Sequence, residues 1–223
     1  MMIVQVYLSF VVPLAFLLLV ISGEGRGVIA SFAFGMSAAL AVYGLTGFIG
    51  EDLVPLPLQL AFVIPAIEEA AKVLPLVYLL LRSKKTGKYS LVRYAMAIGI
   101  GFSILENYMY LTMAAGSGAS STIVFTLLRS LTASLLHGST TALSGFCFQL
   151  MLNRSRFSST LALGTLLGGC AVHSLYNALL LNAENGAWAI VLPIASFGFV
   201  LFGVNGFGIV GAPRKRRKEG ASA

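Results

Sequence analysis

The chain carries its chemistry in four short runs set within apolar sequence. The first reads Ile67-Glu68-Glu69-Ala70-Ala71-Lys72, and the second contains Glu106-Asn107. The third places Arg129 eight residues before His137, and the fourth is His173-Ser174-Leu175-Tyr176-Asn177. An ionised side chain at the centre of a membrane helix costs roughly 2.5 to 3.5 kcal/mol on the insertion scale. Such residues persist where they face a bundle interior and pair with one another, and they usually serve a function. Carboxylates combined with histidines can activate water, hold a metal or relay protons.

Helical geometry sorts these residues further. Glu68 and Lys72 are i,i+4 with the acid first, the favourable order for an ion pair. Glu69 is then turned by about 100° and left without a local counter-charge, which suits it to act as a general base toward water. Arg129 and His137 share a helix face, with Arg129 balancing the glutamates as a structural cation alongside Lys72. His173 and Asn177, again i,i+4, can present two polar groups to one point. Asn107, beside Glu106, is placed either to join helices by hydrogen bonding or to position a water or a peptide carbonyl.

Two histidines with a carboxylate are competent zinc ligands, and Glu69, Glu106, His137 and His173 form the candidate set. The sequence contains no HExxH, so its spacing leaves the use of a metal open. Ser134 and Ser139 lie near His137, but no base and orienting group can be assigned to them, which argues against a serine nucleophile. Cys147 and Cys170 fall in apolar stretches without a CxxC and read as small buried hydrophobes.

The elements that must position these groups are membrane helices. The 223 residues are 57% hydrophobic and only 10% charged, with a mean hydropathy of +0.89. Soluble domains carry about a quarter charged residues. A spanning helix needs about 20 apolar residues. Seven stretches meet that need: Ile3 to Ile21, Val28 to Gly50, Pro57 to Leu81, Leu91 to Ala114, Thr122 to Leu152, Thr160 to Leu181 and Trp188 to Val210. The third and fifth are long, which predicts a tilt, kink or interfacial turn, and Pro65 and Pro75 bracket the middle of the third. The first lacks a basic leader and a small-residue cleavage site and reads as a retained helix.

The net charge of +7 is distributed as a membrane protein's, not a nucleic-acid binder's. Arg26, Arg82, Lys84, Lys85, Lys88, Arg154, Arg156 and the tail from Arg214 to Lys218 fall on one set of ends and connections. The alternate connections carry Glu51, Asp52 and Glu184 and no Lys or Arg. By the positive-inside rule the N-terminus is outside and the C-terminus cytoplasmic, an arrangement that needs an odd number of spans. The basic tail reads as a stop-transfer and headgroup anchor on the lipid bilayer. The fold expected is an all-α polytopic membrane protein of about seven transmembrane helices. It would comprise one domain over residues 1–212 and a basic tail over 213–223.

These runs, in this order, resemble the PrsW family of intramembrane proteases, relatives of the CAAX prenyl endopeptidases. The matching pieces are Glu68-Glu69-Ala-Ala-Lys72, Gly101-Phe102-x-x-Leu105-Glu106-Asn107, Arg129 through His137-Gly138, and His173-x-x-x-Asn177. They cover residues 68 to 177, about half the chain. The resemblance implies a helical protease that hydrolyses peptide bonds at membrane depth. It implies that Glu68 or Glu69 activates water and that His173 with Asn177 stabilises the oxyanion. It further implies a membrane-anchored protein substrate, such as an anti-sigma factor cut at site one, and a multi-pass location in a prokaryotic cell membrane. Where the CAAX enzymes carry FxxxH, this chain has Phe102-x-x-x-Glu106, which leaves His137 to replace that histidine in space and Glu106 to orient a histidine or complete a metal site.

The reading that follows is an intramembrane endopeptidase working through glutamate- and histidine-activated water. A proton- or ion-coupled transporter would use the same residues as a relay, but the hydropathy shows no duplicated pattern. A catalytically silent scaffold of the same fold would keep its function after loss of Glu69.

Overall fold

The computed structural model describes residues 2–20, 25–82, 90–116, 123–153, 158–182 and 186–206. Lys84, Lys85, Lys88, Arg154, Arg156, Glu184 and the tail 213–223 lie outside the described residues, and so does most of the charge pattern that orients the chain.

The described residues are helical apart from the connection over 47–55 and positions 158 and 182, and they contain no strand. The elements are α1 (Met2–Val20), α2 (Gly25–Thr46), a single turn α3 (Leu56–Leu58), a π-helical stretch (Gln59–Val63), α4 (Ile64–Arg82), α5 (Ser90–Gly116), α6 (Ile123–Asn153), α7 (Ser159–Leu181) and α8 (Gly186–Gly206). The α3 turn, the π stretch and α4 follow one another without a break. Seven long helical segments therefore coincide with the seven apolar stretches of the sequence.

The irregularity expected in the third stretch is the π-helical segment, and Pro65 gives its physical cause. Proline has no N–H to donate four residues back, and its ring collides with that carbonyl in an α-helix. A wider turn just before it relieves the clash, and Ile64 N–H accordingly bonds to the Gln59 carbonyl. Gln59 also ties down the preceding connection, its amide donating to Val54 O at 2.7 Å and to Gly50 O at 3.3 Å. At the other end of the chain Ser158 caps α7, accepting from Leu161 N–H at 3.2 Å.

Burial runs opposite to that of a water-soluble protein. Leu74 and Phe199 are each 69% exposed, while Lys72 is wholly enclosed and Glu69, Glu106, His137 and His173 are buried. A large apolar exterior around a polar interior is the distribution a hydrocarbon solvent selects. Helices α2 and α7 are long and apolar enough, by length and composition, to cross a membrane; α1 and α8 are apolar over the shorter stretches Met2–Leu18 and Gly186–Phe202.

At the centre of the bundle, α5 and α6 pack on one another. Leu91, Ala95 and Ile98 of α5 meet Phe148 and Met151 of α6 and Leu76 of α4. Val92, Met96 and Ile100, on the next face of α5, meet Ala142 of α6, Leu17 of α1, Val28 of α2 and Val200 of α8. Small residues bring the backbones together, as is usual for helices in lipid. A Cβ at Gly99 would fall on the His137 carbonyl, and one at Gly35 on the Ile98 carbonyl. Gly99 thus lets α5 approach α6 at the turn that carries His137.

Candidate active site

Four helices converge on one buried cluster: α4 with Glu68, Glu69 and Lys72, α5 with Glu106, α6 with His137 and α7 with His173. The imidazoles of His137 and His173 meet edge to face, ring centroids 4.8 Å apart. The groups singled out from sequence on separate spans therefore share one interior site.

Within it the expected ion pairing is different. Lys72 Nζ lies 2.5 Å from Glu69 Oε1, an i,i+3 pair, and not against Glu68. The cause is tertiary. Lys72 also donates to His137 Nδ1 at 2.8 Å and sits 4.9 Å from the centroid of the Phe102 ring. Those partners lie on α5 and α6, and Glu69 lies on the same side of α4. Glu69 Oε1 is further engaged by His173 Nδ1 at 2.9 Å and by the Thr140 hydroxyl, which donates at 3.3 Å. Glu69 is thus the well-partnered carboxylate of the pair.

Hydrogen-bond roles fix the His137 imidazole. An ammonium only donates, so His137 Nδ1 accepts from Lys72 and its Nε2–H donates to Glu106 Oε2 at 2.6 Å. Arg129 Nη2 donates to the other oxygen of Glu106 at 3.1 Å, and its guanidinium stacks 3.6 Å from the centroid of the Tyr110 ring. His173 Nδ1 pairs with Glu69, and its Nε2 faces Glu68 Oε2 at 3.5 Å. That separation exceeds a hydrogen bond of about 2.7 to 3.2 Å, and Glu68 Oε2 is buried without a hydrogen-bond partner among the described residues. A carboxylate oxygen and an imidazole nitrogen facing each other across such a gap make a place for a bridging water or a cation.

The charge count points to the same atom. Three carboxylates (Glu68, Glu69, Glu106) face Lys72 and Arg129, and among the described residues the carboxylate that neither of these cations pairs with is Glu68.

Two further residues lie apart from this centre. Asn177 does not converge with His173; its amide donates to the Leu60 carbonyl at 2.9 Å, bracing α7 against the π stretch. Asn107 is buried beside Glu106, with neither end of its amide partnered among the described residues.

Sequence reasoning missed Thr140, Phe102 as a contact of Lys72, and Tyr110. Their signals were present at helical spacing. Thr140 stands three residues after His137, and Phe102 and Tyr110 stand four before and four after Glu106.

Over residues 24–204 the sequence matches the family described as PrsW family intramembrane metalloprotease. The chain belongs to the PrsW family. The match takes in α2 through most of α8 and every residue of the cluster. It establishes an integral membrane protein of a protease family, in keeping with the burial pattern and the apolar helices. No curated protein and no solved structure matches the chain.

The metal that the PrsW description implies can be tested against the donors. Glu68, His137 and His173 each offer one ligand atom, all within 4.8 Å of one another and all buried. A tetrahedral ion with bonds of about 2.0 to 2.2 Å sets neighbouring ligands about 3.4 Å apart, close to the 3.5 Å between Glu68 Oε2 and His173 Nε2. His173 is also held through Nδ1 by a carboxylate, the usual outer support of a ligating imidazole. The set fits at Glu68 and His173, with Glu68 in the place expected for Glu69 and Glu106, whose oxygens are engaged by Lys72, His173, Arg129 and His137. Both ring nitrogens of His137 are engaged, by Lys72 and by Glu106, so His137 would ligate an ion only in exchange for one of those bonds.

Proposed function

We propose that this protein is a multi-pass intramembrane endopeptidase that cleaves membrane-anchored protein substrates with water activated at Glu68 and His173. The observation that carries the reading is the facing of Glu68 Oε2 and His173 Nε2 at 3.5 Å within a closed cluster of carboxylates, imidazoles and cations.

A water between these atoms loses its proton to Glu68 as its oxygen attacks the scissile carbonyl carbon. Glu68 returns that proton to the amide nitrogen as the C–N bond breaks, leaving a new carboxyl and a new amine. The proton transfers are worth typically about 10²- to 10⁴-fold. Glu69, saturated by Lys72, His173 and Thr140, orients His173. Glu106, held by Arg129, orients His137. A divalent cation such as zinc, were it held by Glu68, His137 and His173, would supply Lewis-acid polarisation of the water and the carbonyl, with Glu68 then a ligand and not the base. The geometry favours Glu68 over Glu69 as the base, because Glu69 is occupied.

The finer assignments rest on the sequence. Seven spans with the N-terminus outside and the C-terminus cytoplasmic follow from the Lys and Arg distribution, and a single domain over 1–212 from the absence of any linker. A membrane-anchored anti-sigma factor in a prokaryotic cell membrane is the substrate that the family resemblance suggests.

The test is cleavage of a membrane-spanning peptide by detergent-purified protein. Glu68→Gln should lower kcat by about 10²- to 10⁴-fold at an unchanged melting temperature, because Gln keeps the shape and cannot take the proton. Glu69→Gln should lose stability together with rate. Undiminished cleavage by the Glu68→Gln/Glu69→Gln double variant would remove the mechanism.

A further inference from the structure

Beside the cluster lies a cavity of about 370 Å³ with walls from α1, the π stretch, α5, α6 and α7. Leu111, Phe125 and Leu180 give it apolar sides, and Asn107, Ser130 and Arg129 give it polar ones. Asn107 is 2% exposed and Ser130 1%. Both ends of the Asn107 amide, the Ser130 hydroxyl and Arg129 Nε lack a hydrogen-bond partner among the described residues. Buried polar groups are normally paired, and leaving one unpaired is costly. All four atoms belong to residues that line this one cavity, which points to an occupant that pairs them as it enters.

The chemistry of the walls identifies its class. The Arg129 charge is already met by Glu106 and the Tyr110 ring, so the cavity does not call for an anion. What remains free is an amide with one donor end and one acceptor end, and a hydroxyl that can do either. A peptide unit offers the complement of that amide. The volume falls within the range of ligand pockets, apolar walls with a few convergent polar groups, and greatly exceeds the roughly 30 Å³ of one water.

We infer that this cavity is a substrate subsite that binds an unwound stretch of peptide backbone, with Asn107 pairing one peptide unit and Ser130 bonding to the next. The inference rests on the protease reading and deepens it. A helix in lipid satisfies its own N–H and C=O groups, and a segment opened for hydrolysis exposes them where water is scarce. A site that hydrolyses such a segment must supply partners, and Asn107 and Ser130 are free to do so. Position connects the subsite to the chemistry. Asn107 follows Glu106 directly, Ser130 follows Arg129, and the wall residue Asn177 is one turn beyond His173.

The experiment measures binding, separately from turnover. The probe is a synthetic Leu/Ala membrane-spanning peptide of about 24 residues with a central Gly-Gly pair, bound to the Glu68→Gln protein in liposomes. Adding Asn107→Leu to that protein should raise Kd about tenfold or more, the value of two lost hydrogen bonds. The melting temperature should hold or rise, since Leu removes an unpaired amide. Ser130→Ala serves as a second variant and should weaken binding in the same direction. A probe with an ester in place of the central amide, which lacks the N–H, should bind more weakly to the parent. Little further loss should appear when the ester probe meets Asn107→Leu. Unchanged peptide affinity in both variants, or an ester effect that persists undiminished in Asn107→Leu, would overturn the subsite. If instead binding depends on Asn107 but wild type cleaves nothing, the subsite stands and the protease reading falls.

Discussion

The ammonium of Lys72 lies 2.5 Å from Glu69 Oε1, one helical turn away, with both side chains sealed from solvent. It holds His137 Nδ1 at 2.8 Å as well, so one buried cation organises a carboxylate of α4 and an imidazole of α6. Removing one partner of a buried ion pair typically costs about 3 to 5 kcal/mol, because the other charge is left uncompensated. Lys72→Ala should therefore lower folded yield and melting temperature in detergent. The Lys72→Ala/Glu69→Ala double variant should lose less than the sum of the two single changes, as groups in direct contact do. A Lys72→Ala protein as stable as wild type would show that Glu69 has its charge met elsewhere.

The long helices were legible because apolar run length is a strong signal in lipid. Gathering of Glu68, Glu69, Glu106, His137 and His173 was legible because polar groups on separate spans have few places to go except inward. Pairing within the gathering was not. Positions i,i+3 and i,i+4 are both neighbours on a helix, and local spacing favoured Glu68 for Lys72. The choice of Glu69 is made by His137 and Phe102, which reach Lys72 from other helices. Asn177 was misplaced for the same reason, since the Leu60 carbonyl it meets lies more than a hundred residues away in the chain. Pro65 marked the irregular turn, and its missing N–H is what the π-helical form accommodates.

Arg129 connects to the chemistry through Glu106. It donates to Glu106 Oε1 at 3.1 Å while His137 donates to the opposite oxygen at 2.6 Å. Arg129→Met should lower stability and should also reduce kcat through the loosened Glu106–His137 contact. Arg129→Lys should restore the charge but not the flat stacking on Tyr110, and hence only part of the stability. A double-mutant cycle between Arg129 and Glu106 should give a coupling of about 0.5 to 3 kcal/mol. A coupling of zero would mean that the observed contact does not hold Glu106.

Orientation in the membrane can be tested away from the site. The basic residues Lys84, Lys85 and Lys88 stand in one connection and Glu184 in another that carries no Lys or Arg. In a background with Cys147 and Cys170 changed to Ala, a membrane-impermeant thiol reagent applied to intact cells should label Glu184→Cys. It should spare Lys85→Cys until the cells are opened. The reverse pattern would invert the topology and place the basic tail outside.

Metal content tests the donor set. Glu68 Oε2 and His173 Nε2 are separated as neighbouring ligands of a tetrahedral ion would be, and among the described residues neither Lys72 nor Arg129 pairs with Glu68. Protein purified without chelator should therefore carry about one divalent metal per chain, with zinc the best match for two imidazoles and a carboxylate. His173→Ala and Glu68→Ala should each lose that metal. Arg129→Met, which removes a cation but no ligand, should keep it. Dialysis against a strong chelator should strip wild type and lower its melting temperature, since an ion bound only by the folded state adds to stability. Retention of the metal by both His173→Ala and Glu68→Ala would place it elsewhere in the molecule. Full cleavage by a metal-stripped protein would leave water activation to Glu68 and His173 alone.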